Sequence, residues 1–152
     1  MLYLHLSDTT IEAIETHKSL MGQEKIVATC RKEIPEGLIV EGSIEKVDEV
    51  QNQVKEVLAN GYPKPISSNQ VSLIVPESQI ITKRFNVTQE QLTTEIKNIV
   101  GEDLTAFEHF YKVIPQEEKQ EILYTGMKRE LIEKWQDVLH PLALSLVFLS
   151  GE

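Results

Sequence analysis

The chain has 152 residues, enough for one domain or two small units sharing a core. Apolar residues make up 41% and charged residues 26%, the balance of a globular protein, and no apolar run approaches the ~20 residues of a membrane span. The formal net charge of −9 argues against nucleic acid as the main partner, because phosphate binding needs clustered Lys and Arg, and the single cysteine, Cys30, excludes an internal disulfide and suits the cytosol.

The N-terminus has no basic segment followed by an apolar stretch, so no secretory leader is expected. Leu2 to Leu6 alternates as a strand, Ser7, Asp8 and Thr9 make a polar turn, and Thr10 to Glu15 returns as a second strand rich in Thr and Ile. After the looser "HKSLMGQE", Lys25 to Ile34 forms a third strand, and such short links imply an antiparallel meander. "PEGLIVEGSI" reads as a loop punctuated by Gly37 and Gly42. Val47, Val50, Val54, Val57 and Leu58 share one face of a 3.6-residue period, so a helix follows, ended by Gly61 and Pro63. Val71 to Val75 is short, apolar and β-branched, which predicts a buried strand. The order to this point is β-β-β-α-β.

Pro76 marks a break and a second unit begins. Ile80 to Phe85 reads as a strand, and Thr88 with Gln91 makes a capping box for a helix whose inner face carries Leu92, Ile96, Ile99 and Val100, closed by Gly101. Phe107 to Ile114 and Gln120 to Gly126 are strands joined by the turn "PQEEK". Lys128 to Leu139 is a helix with Leu131, Trp135, Val138 and Leu139 at core spacing. It is stopped by Pro141, and Trp135 is expected against the sheet of this second unit. Leu142 to Leu149 is almost wholly apolar. It is expected parallel to Val71–Val75 and either central or covered on both faces. Should nothing follow residue 152, the exposed side of that sheet predicts a homodimer or a tight partner contact near Leu144, Leu146 and Phe148.

Three meander strands, a helix and a strand are similar to the first half of the ribonuclease-H-like core of actin-like ATPases. "LYLHLSDTTIEAIE" stands where those proteins carry a first phosphate loop of the type D-x-G-[ST]-x-x-[IV]-K. "IPEGLIVEGSI" resembles the linker before the first helix of the PilM family of type IV pilus assembly proteins, and "VSLIVPESQIITKRFNVTQEQL" resembles the passage in which that family leaves the core for a small inserted subdomain. FtsA, the cell-division relative, has a similar glycine in the linker. The resemblance implies an α+β fold: an actin-like half core over 1–76 plus 142–152 (1A-like), and an inserted α+β subdomain over 77–141 (1C-like). Such proteins continue into a second half with the adenosine pocket, so the chain is expected to be either a fragment or a stand-alone first half.

Set against the phosphate-loop pattern, His5 stands at the metal-binding Asp, Ser7 at the Gly, Asp8 at the Ser or Thr, and Glu12 at the Lys. The Cβ of Ser7 disfavours a tight phosphate loop, and Asp8 and Glu12 place negative charge beside a negative ligand. Only Thr9 and Thr10 keep suitable hydroxyls, so a degenerate loop, no nucleotide and no cofactor are expected. His5 by itself has no ligand spacing with His17, His109 or His140. Asp8, Glu12 and Glu15 are the carboxylates that a Mg²⁺ site or a ribonuclease-H-like enzyme could use, but a solvated hairpin edge is the better account of them. Cys30 has no neighbouring base, so no nucleophile is expected. The family binds the cytoplasmic tail of an inner-membrane protein, PilN, in a groove between core and insert. By resemblance Ile81, Lys83, Arg84, Phe85, Phe107 and Tyr111 are candidate contacts, the alternative for each apolar one being ordinary subdomain core. The reading is a non-catalytic, cytoplasmic assembly protein, peripheral at the inner membrane, in a pilus or secretion-type machine. The alternatives are an FtsA-like division scaffold and a ribonuclease-H-like enzyme.

Overall fold

The computed structural model describes residues 1–19, 22–101, 103–115 and 120–151. It divides the chain into two units, residues 1–78 with 133–152, and residues 79–132.

In the first unit, β1 (Leu2–Leu6), β2 (Thr10–Lys18) and β3 (Glu24–Glu33) form the antiparallel meander. β6 (Gln70–Val75) pairs parallel to β1, and β10 (Ser145–Gly151) pairs parallel to β6, giving the order β10-β6-β1-β2-β3. Alternation sends Leu2, Leu4, Leu6, Ile11, Ala13, Val71, Leu73 and Val75 to one face, where all are buried. Helix α1 (Val47–Ala59) packs on β2 and β3 and buries Val50, Val54 and Val57, the face its period predicts. Asp48 and Glu49 suit the positive end of its dipole. An ion pair between Lys32 and Glu56 ties it to β3.

Two elements depart from the sequence reading. "IVEGSI" is not loop but a small hairpin, β4 (Ile39–Val40) and β5 (Ser43–Ile44), turned by Glu41 and Gly42. The last strand begins at Ser145, not Leu142. Pro141 sits in a 3₁₀ turn over His140–Leu142, Ala143 takes a left-handed φ of 56°, and the Leu144 N–H donates to Leu139 O at 3.2 Å, which finishes the helix first. β10 is also an edge strand here, not a central one. Val147 is 54% exposed, whereas Leu144 is buried within the chain and so unavailable to a partner. The expected contact at Phe148 concerns a side chain outside the described ones.

The second unit is a three-stranded sheet of order β7-β9-β8, with β7 (Ile80–Val87), β8 (Phe107–Pro115) and β9 (Gln120–Lys128). The turn between β8 and β9 lies outside the described residues. Helix α2 (Leu92–Val100) buries Ile96 against Val87, Ile122 and Tyr124, with Leu92, Ile99 and Val100 packed beside them. A 3₁₀ turn over Gln89–Gln91 leads into it, and Gln91 Oε1 accepts the Thr88 N–H at 3.3 Å, the reciprocal arm of the expected capping box. Helix α3 (Arg129–Leu139) spans the division at Ile132–Glu133. Trp135 is fully buried as expected, but it falls in the first unit and outside the cluster formed by Val87, Ile96, Ile122 and Tyr124.

Candidate functional site: a hairpin turn and a partner surface

The β1–β2 turn is closed by its own side chains. The Ser7 N–H donates to Thr10 O at 2.9 Å, the Thr10 N–H donates to Ser7 Oγ at 3.1 Å, and the two hydroxyls lie 2.9 Å apart. Ser7 does not take a positive φ; among the described non-glycine residues only Glu41 and Ala143 do. The turn backbone therefore lacks the conformation that a glycine would give it there.

Asp8 reaches across to the β4–β5 hairpin. Its Oδ2 accepts from Glu41 N–H at 2.8 Å and its Oδ1 from Gly42 N–H at 3.0 Å. Those residues have φ of 50° and 78°, the two left-handed positions of a type I′ turn. Glycine accepts such a φ freely and glutamate does not, so the carboxylate holds Glu41 in a conformation it disfavours. Asp8 is thus a bracket between two loops. Asp8→Ala should lower stability by about 1–3 kcal/mol, the range for losing charged hydrogen bonds. Urea unfolding checks this, and a change below about 0.5 kcal/mol would mean that the turn holds itself.

His5, Glu12 and Arg31 form one cross-strand row on the sheet face opposite α1. Glu12 Oε1 lies 3.1 Å from Arg31 Nη1, and Glu12 Oε2 lies 3.8 Å from His5 Nδ1. His5 and Glu12, with Tyr3, Ile14 and Ile74, line a shallow hollow of about 380 Å³. The carboxylates do not converge. Glu12 and Glu15 point to opposite faces of β2, and Asp8 is in the turn. Among the described residues no three His, Cys, Asp or Glu side chains are grouped to hold a metal.

Glu15 corrects the sequence reading, which left it on a solvated edge. It is only 5% exposed. Its Oε1 accepts from Ser68 N–H at 2.8 Å and from the N–H and hydroxyl of Ser67 at 3.3 Å, and Lys64 Nζ lies 3.9 Å from Oε2. The "SSNQ" approach to β6 is fastened by this carboxylate. The alternation of Ile11, Ala13 and Glu15 turns it to the buried face, and the bulge of β2 comes after it, between Glu15 and Thr16.

The six candidate contacts lie on the second unit, and the pleat divides them. Ile81, Lys83, Phe85, Phe107 and Tyr111 share the face that carries α2, while Arg84 points the other way. Lys83 and Arg84 are adjacent in sequence and so cannot act as one basic pair. Arg84 is ion-paired with Glu121, which holds the Glu121 carboxyl below its usual range. Ile81 and Phe85 pack on the core cluster and Phe107 is half-buried, as their ordinary reading has it, whereas Lys83 is exposed and Tyr111 is 52% exposed. The sequence reading missed His109. Its Nε2 lies 2.8 Å from Leu104 O, a group that can only accept, so in the neutral ring Nδ1 accepts from the Tyr124 hydroxyl at 2.9 Å. Burial pushes the Tyr124 phenol up.

A family model described as "Type IV pilus assembly protein PilM" matches residues 4–148. The solved PilM-PilN type IV pilus biogenesis complex superposes with a TM-score of 0.81 at 13% identity, over 99% of this chain and 46% of that one. The cytoplasmic domain of EpsL, an inner-membrane component of the type II secretion system of Vibrio cholerae, gives 0.57 at 11% identity, over 99% of this chain and 56% of that one. The chain therefore spans about half the length of either structure. No curated protein matches the sequence. No helix among the described residues is long and apolar enough to cross a membrane.

Proposed function

The chain belongs to the family of type IV pilus assembly proteins PilM, and from that premise we propose that it is a non-catalytic scaffold that binds a protein partner at the cytoplasmic face of the inner membrane in a pilus-type machine. The observation that carries the non-catalytic half is the β1–β2 turn. Where a phosphate loop needs open amides and positive charge, Ser7 is spent on closing the turn, Asp8 on holding Glu41 and Gly42, and Glu12 is paired with Arg31. A phosphate entering here meets two carboxylates, and like charges repel most where water is excluded. The spread of Asp8, Glu12 and Glu15 removes the cluster that a ribonuclease-H-like enzyme needs. The family match favours pilus assembly over a division scaffold.

The partner is an extended cytoplasmic segment of an inner-membrane protein of the PilN kind. It seats on the exposed part of the second unit where Lys83 stands on an open strand edge, with backbone pairing supplying affinity and side chains register. Calorimetry with a synthetic peptide from the cytoplasmic tail of a PilN-type inner-membrane protein of the same organism tests the reading. We expect micromolar binding, weakened about tenfold by Lys83→Glu, a change of about 1.4 kcal/mol. ATP with Mg²⁺ should give no heat. An ATP dissociation constant below about 100 μM, roughly 5.5 kcal/mol of affinity, would overturn the non-catalytic half, and a silent peptide would overturn the partner.

A further inference from the structure

Strand β8 is an open edge. It ends the order β7-β9-β8, and among the described residues no backbone hydrogen bond joins its outer side to another element. Phe110 is 62% exposed, Tyr111 52% and Val113 40%, so apolar side chains stand on both faces of one edge. A long apolar edge is normally guarded by a central charge that strangers cannot satisfy. Here that charge is Lys112, an exposed lysine, with Glu108 four residues before it on the same face.

This spacing suits a second copy of the same strand. Two copies related by a two-fold axis through the sheet run antiparallel, and the pleat requires opposed residues to share a face. The two residue numbers in each pair therefore sum to an even value. A register centred on Lys112 opposes two lysines, and one centred on Glu108 opposes two glutamates. A centre at His109 or Tyr111 sets both charges against aromatic or aliphatic side chains. A centre at Phe110 alone matches everything: Glu108 meets Lys112 of the second copy, twice by symmetry, Phe110 meets Phe110, His109 meets Tyr111, and Phe107 meets Val113. Opposite charges directly across a pair of strands stabilise it and like charges do the reverse. The other open edge, β7, lacks this property, because registers centred on its middle oppose Lys83 with Lys83 or Arg84 with Arg84. Arg129 Nη2 already holds Glu108 Oε1 at 2.9 Å, and the second carboxylate oxygen remains for the lysine.

We propose that β8 is a self-association edge: two copies pair β8 with β8 antiparallel about Phe110, joining two three-stranded sheets into one of six. The contact is small for an interface, so the dimer should form in the micromolar range. Sedimentation velocity of the 152-residue chain from about 1 to 300 μM tests it. We expect the weight-average mass to rise toward twice the monomer. Lys112→Glu and Glu108→Lys should each weaken the dimer about tenfold or more, since both symmetric pairs become like-charged. Mixed one to one, the two variants should associate again to within about threefold of wild type, because each mixed pair then opposes glutamate with lysine. Phe110→Lys should abolish association. Circular dichroism establishes that each variant is folded. A chain that stays monomeric at 300 μM overturns the proposal. So does a dimer untouched by Phe110→Lys, or folded single variants whose mixture fails to recover.

Discussion

Trp135→Ala should remove about 3–5 kcal/mol of stability, the cost of deleting a large aromatic side chain from a core. Trp135 is fully buried on α3, with Leu131, Val138 and Leu139 of the same helix also buried. No smaller side chain can fill the space without moving the helix. Small domains have only about 5–15 kcal/mol in all, so the variant should be largely unfolded at modest urea. The indole N–H meets no acceptor among the described residues, and an unpaired buried donor is itself unfavourable by about 1–3 kcal/mol. Trp135→Phe should therefore lose far less, about 1 kcal/mol, since the smaller cavity is offset by removing that donor. Urea unfolding of both variants reads the difference. A loss under 1 kcal/mol for the alanine variant means that the site collapses and the packing assigned to it is wrong.

Gly126→Ala should cost about 2–3 kcal/mol, the upper part of the range for overpacking. Gly126 and Tyr124 lie two residues apart on one face of β9, and the tyrosine ring folds back over the glycine toward His109, its cross-strand neighbour. A Cβ at Gly126 would overlap the Tyr124 hydroxyl and stand 2.8 Å from Cζ. The ring cannot swing aside, because it is fully buried and its hydroxyl is bonded to His109. Any movement exposes the phenol or breaks that bond. Adding Tyr124→Phe removes the overlapping oxygen, so the double variant should lose less than the sum of the singles, with a coupling of about 1 kcal/mol. Strict additivity in urea titrations, or a Gly126→Ala variant within 0.5 kcal/mol of wild type, would show that the ring is free to move.

Much of this architecture was legible in the residue order. The 3.6-residue spacing of Val50, Val54 and Val57 and the alternation of Leu2, Leu4 and Leu6 are local signals, and each buries the face it predicts. The parallel pairing of β10 with β6 could also be argued from the two apolar strands, although its position could not. Apolar character reports that a strand is shielded from water, not by what or from which side.

The candidate site was legible as a list of positions and illegible as chemistry. The sequence shows that Ser7, Asp8 and Glu12 are the wrong residues for a phosphate loop. It does not show that Asp8 spans 33 positions to hold the Glu41 amide, because a hydrogen bond across that separation leaves no periodic trace. The sequence by itself determined most of the elements, the faces that α1 and β1 bury and the departure from the phosphate-loop pattern, because these depend on side-chain type and on spacings of two to four residues. Tertiary structure alone decided that Glu15 is fastened to Ser67 and Ser68, that α2 covers the face carrying Lys83 and not the one carrying Arg84, and that β8 is left with an open edge. Those outcomes depend on which strands become neighbours, and that is fixed by the summed packing of the whole chain.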